Sequence, residues 1–504
     1  MKQKLPPDLN RKAWLYAALI VLMLLLAGAG TLLLLTGDHA EPPRLPEASD
    51  ALRTASQGLD GIRVVATLDP AARTLSFTQE MTLTNRTGQA QSAVVLRSWT
   101  GAYGTEETSP CATEELYPDC YGASFSPGGL AVTHAAVNGA PVTPVWLDDA
   151  ATVLSLPADW PAGGSVAVTL TCTVTIPECA SRFGYADGAF MLGNVFPVAA
   201  LWQDGAWRTD AYAPIGDPFC SECANWQVTL TVPEGYTVAA SAPGTQEGSG
   251  VHTFTGLALR DFALVVSRDY ACAQAMAEGV LVTAYARDKA DAEAMLRYAA
   301  QALHSYAKRW GDYAYPAFTL AEAVFPYGGM EYPGMVMIGT DVLASGGQVL
   351  EYTVAHETAH QWWAVMVGSD GWYQPWQDES LCEYAWLDYV GDWYGADARS
   401  QMAFDRIETA MRITIPGGAT PGSPLDRFSD LTQYSRIVYQ RGAAFRCAME
   451  IHLGKDGLDA MLCDYQARFC FRIATREDLT SVLSQHAGMD MSGLMLDYLD
   501  TLMP

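Results

Sequence analysis

The segment Val354-Ala-His-Glu-Thr-Ala-His-Gln-Trp-Trp363 carries His356 and His360 four residues apart, with Glu357 directly after the first. Residues four apart on a helix lie one above the other, so both imidazoles can face one metal ion. Glu357 sits about 100° around that helix from His356, close enough to take a proton from water at the ion without ligating it. That is the position of a general base. A hydrolytic zinc site takes three protein ligands and leaves one position for water. The third ligand is suggested by Trp376-Gln-Asp-Glu-Ser-Leu-Cys-Glu-Tyr384, where eighteen residues separate His360 from Glu379. The gap fits a helix end, a reversing loop with Gly368, Gly371 and Pro375, and the first turn of a second helix laid against the first. Alternatively, Glu379 is a solvated acid favoured by the dipole of a helix start. Glu383, one turn on, either orients a ligand imidazole or is an ordinary surface or salt-bridge residue.

With these spacings the chain resembles the gluzincin zinc aminopeptidases of the membrane alanyl aminopeptidase and leukotriene A4 hydrolase type. Two further motifs agree. Gly328-Gly-Met-Glu-Tyr332 resembles the family's Gly-x-Met-Glu-Asn motif, which implies that Gly328, Gly329, Met330 and Glu331 bind substrate. Glu331 would hold its free α-amino group, since a carboxylate makes charge-assisted hydrogen bonds to an ammonium. Tyr332 departs from the pattern, which has Asn there. Tyr439-Gln-Arg-Gly442, sixty residues after Glu379, resembles the segment whose Tyr stabilises the tetrahedral transition state by donating to the oxyanion. Without that resemblance Tyr439 would read as a core aromatic, and nearby Tyr434 has no comparable motif. Asp217-Pro218 and the following Trp226 to Val232 resemble the family's acidic-Pro segment and strand. No candidate emerges for the family's second amino-terminus anchor. Only 65 residues follow Tyr439, so the resemblance implies a short form without the helical C-terminal domain.

Such a site needs a scaffold, and 504 residues imply two or three domains. Half the residues are hydrophobic and 17% charged, which excludes general disorder. Thirty Lys and Arg against 56 Asp and Glu give a net charge of −26, so nucleic acid is not an expected partner. Residues 1–12 read as a cytoplasmic tail. Residues 13–36, an uncharged run rich in Leu, Ala and Val, are long enough to span a bilayer core of about 30 Å as a single-pass anchor. A signal peptide is the rival, but apolar residues continue past the small residues at Ala27 to Gly30. Basic residues before the run keep the amino terminus cytoplasmic and place the rest outside the cell membrane.

Residues 37–57, with Pro42, Pro43 and Pro46, read as a linker. Residues 58–270 alternate like strands, as in Ile62 to Leu68, Leu75 to Leu83 and Val166 to Cys172, and predict an all-β, sandwich-like domain of antiparallel sheets. Residues 271–504 predict an α+β, thermolysin-like catalytic domain. In it Asp288 to Trp310 forms an Ala-rich helix, and strands fall at Phe318 to Val324 and Met335 to Ile338. Of eleven cysteines, Cys111/Cys120 and Cys172/Cys179 are close enough for local disulfides in an oxidising compartment. Cys220 and Cys223 form a lone Cys-x-x-Cys without the second pair of a structural zinc site.

The expectation is a membrane-anchored metallopeptidase with one zinc ion on His356, His360 and Glu379, Glu357 as base and Tyr439 at the oxyanion. It would remove amino-terminal residues from peptides with a free N-terminus. The alternatives are an open-site endopeptidase and a non-catalytic, membrane-tethered receptor or binding protein that keeps the fold.

Overall fold

The computed structural model describes residues 44–501. The expected tail and anchor over 1–36 and the first part of the linker lie outside the described residues. Among the described residues no helix is long and apolar enough to cross a membrane. The linker's later part is folded, contrary to expectation. Ser49 caps a helix over Asp50–Ala55 by accepting from the Leu52 amide at 3.1 Å, and Leu52 is buried.

From Asp60 to Ser267 the chain is β-rich. An eight-stranded sheet is centred on Asp60–Asp69, Thr74–Thr84 and Ser165–Thr175. In the first of these Ile62, Val64, Ala66 and Leu68 point inward while Arg63, Val65 and Thr67 face out, the period-two pattern of a half-solvated sheet. The expectation of purely antiparallel sheets is corrected at one pair, because Asp60–Asp69 runs parallel to Ala224–Thr231. The chain returns to that edge only after a long excursion through two four-stranded sheets, which frees the strand from hairpin geometry.

One of those smaller sheets joins the two halves of the molecule. It comprises Thr237–Ala240, Leu264–Ser267, Ala189–Leu192 and Phe183–Ala186. Phe190, Leu192, Leu264 and Val266 enter the main β core. The alternate residues Ala189, Met191 and Val265 pack instead on Ala321, Met330, Met335 and Met337. Both faces of this sheet are therefore buried, which fixes its register.

Those partners belong to a five-stranded sheet that opens the second half. Its order is Ala271–Ala277, Val280–Ala286, Ala317–Ala323, Met335–Gly339 and Gly329–Tyr332, parallel in the middle and antiparallel at both edges. Two of these five strands are predicted from the sequence; Ala-rich Ala271–Ala277 and the short Gly329–Tyr332 carry little strand propensity, whereas Val280–Ala286 is rich in β-branched residues and pairs with both neighbours. The expected Ala-rich helix spans Lys289–Trp310, N-capped by Asp288. Its Tyr306 donates to the Ala355 carbonyl at 3.0 Å and so lies against the helix Gly347–Ala359.

Glu383 is neither a surface residue nor bonded to a histidine. It is fully buried, accepts from the Tyr352 hydroxyl at 2.8 Å and pairs with Arg406. Arg406→Ala would strand that carboxylate without its cation, and we expect a loss of about 3–5 kcal/mol of stability. Denaturant melts would read it; an unchanged midpoint would refute a stabilising pair.

Candidate metal centre

His356 and Glu357 occupy the last turn of the helix Gly347–Ala359, and His360 is its C-cap. The chain then reverses tightly, with Val365 N donating to His360 O at 3.1 Å and Val367 N to Trp362 O at 3.0 Å. It re-enters as the helix Trp376–Tyr394, whose first turn holds Glu379. That helix is pinned from beneath by buried Arg446, which donates to the Ser380 hydroxyl and to the Gln377 carbonyl, each at 2.9 Å.

His356 Nε2, His360 Nε2 and Glu379 Oε2 meet at 3.1 to 3.3 Å from one another. Two ligands about 2.0–2.1 Å from one zinc ion at a tetrahedral angle would lie about 3.3 Å apart, so the donor set fits. His360 Nδ1 donates to the Trp363 carbonyl at 3.1 Å, which fixes the ring and leaves Nε2 with its lone pair. All three side chains are buried, and the buried Glu357 Oε2 has no hydrogen-bond partner among the described residues. A carboxylate left so exposed to a low-dielectric site marks a group kept for a ligand.

Electrostatics within the cluster are uneven. Burial would raise the Glu379 carboxyl, yet His360 and His356 hold it down at about 2. Burial, with Glu379 and Asp217 nearby, pushes Glu357 up to about 8, which makes it a proton acceptor of usable basicity near neutrality. Burial lowers His356. It would lower His360 too, but Cys382, Glu331 and Glu379 hold that imidazole well above its ordinary value.

The remaining expected site residues converge here. The Glu331 and Glu357 carboxylates and an imidazole nitrogen of His360 lie within 4.8 Å of one another. Burial raises the Glu331 carboxyl strongly. A β-carbon at Gly329 would overlap the Glu357 carboxylate, so glycine is required where the edge strand passes the base. Gly328 lines the same cleft with φ +79°, whereas Met330 points into the sheet interface. Tyr332 has a structural reason to differ from Asn. Its hydroxyl donates to Asn194 Oδ1 at 3.0 Å, and a β-carbon at Gly193 would strike it. Tyr439 lies on a π-helical turn, Ser435–Arg441, a distortion common at functional sites. Its hydroxyl donates to Glu379 Oε1 at 2.6 Å, and its ring stacks on His356 at 5.5 Å.

Arg182, Asp217 and Tyr434 also line the cleft. Arg182 pairs with Asp217 at 2.7 Å. Asp217 is visible in the sequence only as part of an acidic-Pro segment, and Arg182 has no signal at all. Both come from the β-rich half, 35 residues apart, and meet only through tertiary packing.

Residues 295–498 match the model of the peptidase family M1 domain. The resemblance read from the motifs therefore holds. Leukotriene A-4 hydrolase of Xenopus laevis is 29% identical over 197 residues, 38% of this chain and 31% of that protein. Aminopeptidase N of Streptomyces lividans is 22% identical over 304 residues, 55% of this chain and 35% of that protein. The chain thus spans about a third of the length of these relatives. The solved M1 zinc metallopeptidase of Deinococcus radiodurans shares the fold, with a TM-score of 0.63 and 17% identity over 88% of this chain and 95% of that one.

Proposed function

We propose that this chain, whose residues 295–498 carry a peptidase family M1 domain, is a zinc aminopeptidase. One observation supports this most directly: Glu331 stands within 4.8 Å of both the Glu357 carboxylate and His360. An ammonium held by Glu331 would place the first peptide bond, and not a distant one, at the base.

Zinc on His356, His360 and Glu379 would polarise the scissile carbonyl and acidify the attacking water. Glu357 takes the proton of that water and returns it to the leaving amine. The Tyr439 hydroxyl, which donates to Glu379 in the free protein, donates to the oxyanion as it forms. Glu331, joined by Asp217 at the cleft wall, binds the amino terminus, while Arg182 holds Asp217 in place. The uncharged run over 13–36, with basic residues before it, supports an anchor that keeps this site outside the cell membrane.

Dialysis against a chelator is expected to abolish hydrolysis of an aminoacyl anilide, and added zinc to restore it; undiminished activity in the stripped protein would refute the proposal. Because zinc binds only neutral imidazoles and an ionised carboxylate, zinc affinity should weaken as pH falls. Calorimetry in buffers of different ionisation enthalpy should register proton release on binding, and a pH-independent affinity would contradict it.

A further inference from the structure

Three thiols meet outside the cleft. Cys111 follows the turn Trp99–Gly104, Cys120 ends the short helix Tyr117–Cys120, and Cys179 lies beyond the strand Ser165–Thr175. Their sulfur atoms lie within 4.8 Å of one another, and no residue of the three is more than 5% exposed. The sequence had suggested Cys172 as the partner of Cys179. Instead Cys172 stays on its strand, in register with Phe77 and Val132 and buried in the β core. The chain turns away after Thr175 and carries Cys179 to the other two.

The backbone holds this arrangement. Ala180 N donates to the Cys120 carbonyl at 2.9 Å, and Cys179 N donates to the Tyr185 carbonyl at 3.1 Å. A β-carbon at Gly184 would overlap the Cys179 carbonyl, so the strand Phe183–Ala186 closes directly over it. Two oxygens complete the cluster. The Cys111 thiol donates to Ser181 Oγ at 3.1 Å and lies 3.3 Å from the Tyr327 hydroxyl.

A single buried thiol is ordinary core material. Three sulfurs converging from separate segments, with hydroxyls beside them, make a ligand set. Two thiolates about 2.3 Å from one zinc ion at a tetrahedral angle would lie about 3.8 Å apart, inside the observed limit. A disulfide would use two of the three sulfurs and leave the third unpaired in the same pocket, whereas a metal ion uses all three.

We propose that Cys111, Cys120 and Cys179 form a second, structural zinc site, with an oxygen of Ser181 or Tyr327 as the fourth donor. Soft thiolates select such an ion over magnesium or calcium. Tyr327 directly precedes Gly328, so the ion ties the cluster to the strand that carries Glu331.

The test uses the full chain, purified without exposure to oxygen and loaded with Co2+. His356, His360 and Glu379 offer no sulfur, so a thiolate-to-cobalt charge-transfer band that Cys120→Ser removes reports this cluster, whatever becomes of the other site. We expect the band in the wild-type protein, its loss in Cys120→Ser together with one zinc ion per chain in the zinc-loaded form, and its retention in Cys172→Ser. Absence of the band from the wild-type protein would overturn the proposal without recourse to any variant. So would a disulfide joining two of the three cysteines in the anaerobic protein.

Discussion

Glu357→Gln is expected to lower kcat by about 10²–10⁴-fold, the usual contribution of a positioned general base, with zinc content and thermal stability unchanged. The amide keeps the size of the carboxylate beside Gly329, which leaves no room there for a β-carbon, but it cannot accept a proton. No hydrogen bond of Glu357 Oε2 is lost, because it has no partner among the described residues. Burial and the neighbouring acids raise the carboxyl to about 8, and the charge of a bound ion would lower it from there, so the base stays matched to neutral conditions. Single-turnover rates with zinc content measured on the same samples would check this. A variant that retained full activity would remove Glu357 from the chemistry.

Tyr439→Phe should cost about 10²–10³-fold in kcat with little change in KM, because an oxyanion donor acts chiefly where charge develops. The structure raises a specific rival. Tyr439 donates to Glu379 Oε1, and on that rival account its removal is felt only as a weaker metal ligand. The two effects separate cleanly: loss of oxyanion stabilisation lowers kcat at saturating zinc, whereas a weakened ligand lowers zinc affinity and is rescued by excess zinc. Full rescue by zinc would assign Tyr439 to the metal and not to the transition state.

Which side chains meet at the centre is legible in the sequence because the signal is local. His356 and His360 share one helix face, and Glu379 follows through a loop whose length leaves few arrangements. Tyr439 is sixty residues away but is marked by its own motif. The β-rich half is legible where one face is solvated, as in Asp60–Asp69. It fades where both faces are buried or where alanine dominates. Ala271–Ala277 has the composition of a helix and becomes an edge strand because Val280–Ala286 pairs with it along its length. Tyr332 looked like a broken motif until Asn194, from the other half of the molecule, supplied its partner. Arg182 left no sequence signal because its pairing with Asp217, 35 residues on in the same β-rich half, exists only once that half has folded. The cysteines show the limit of proximity in sequence. Cys172 and Cys179 are seven residues apart, yet a strand end between them leaves Cys172 on its strand and carries Cys179 to Cys111 and Cys120.

The central claim is that the cleft reads a free amino terminus beside a hydrolytic metal centre. It is tested most directly by comparing kcat/KM of the zinc-loaded chain on an aminoacyl anilide and on the same anilide with its amino group acetylated. Acetylation removes the charge that Glu331 would bind and leaves its half-buried carboxylate unpaired, a penalty of several kcal/mol in a site built for that hydrogen bond. We expect the free substrate to be preferred by at least about 10²-fold. Equal rates on the two would contradict the account.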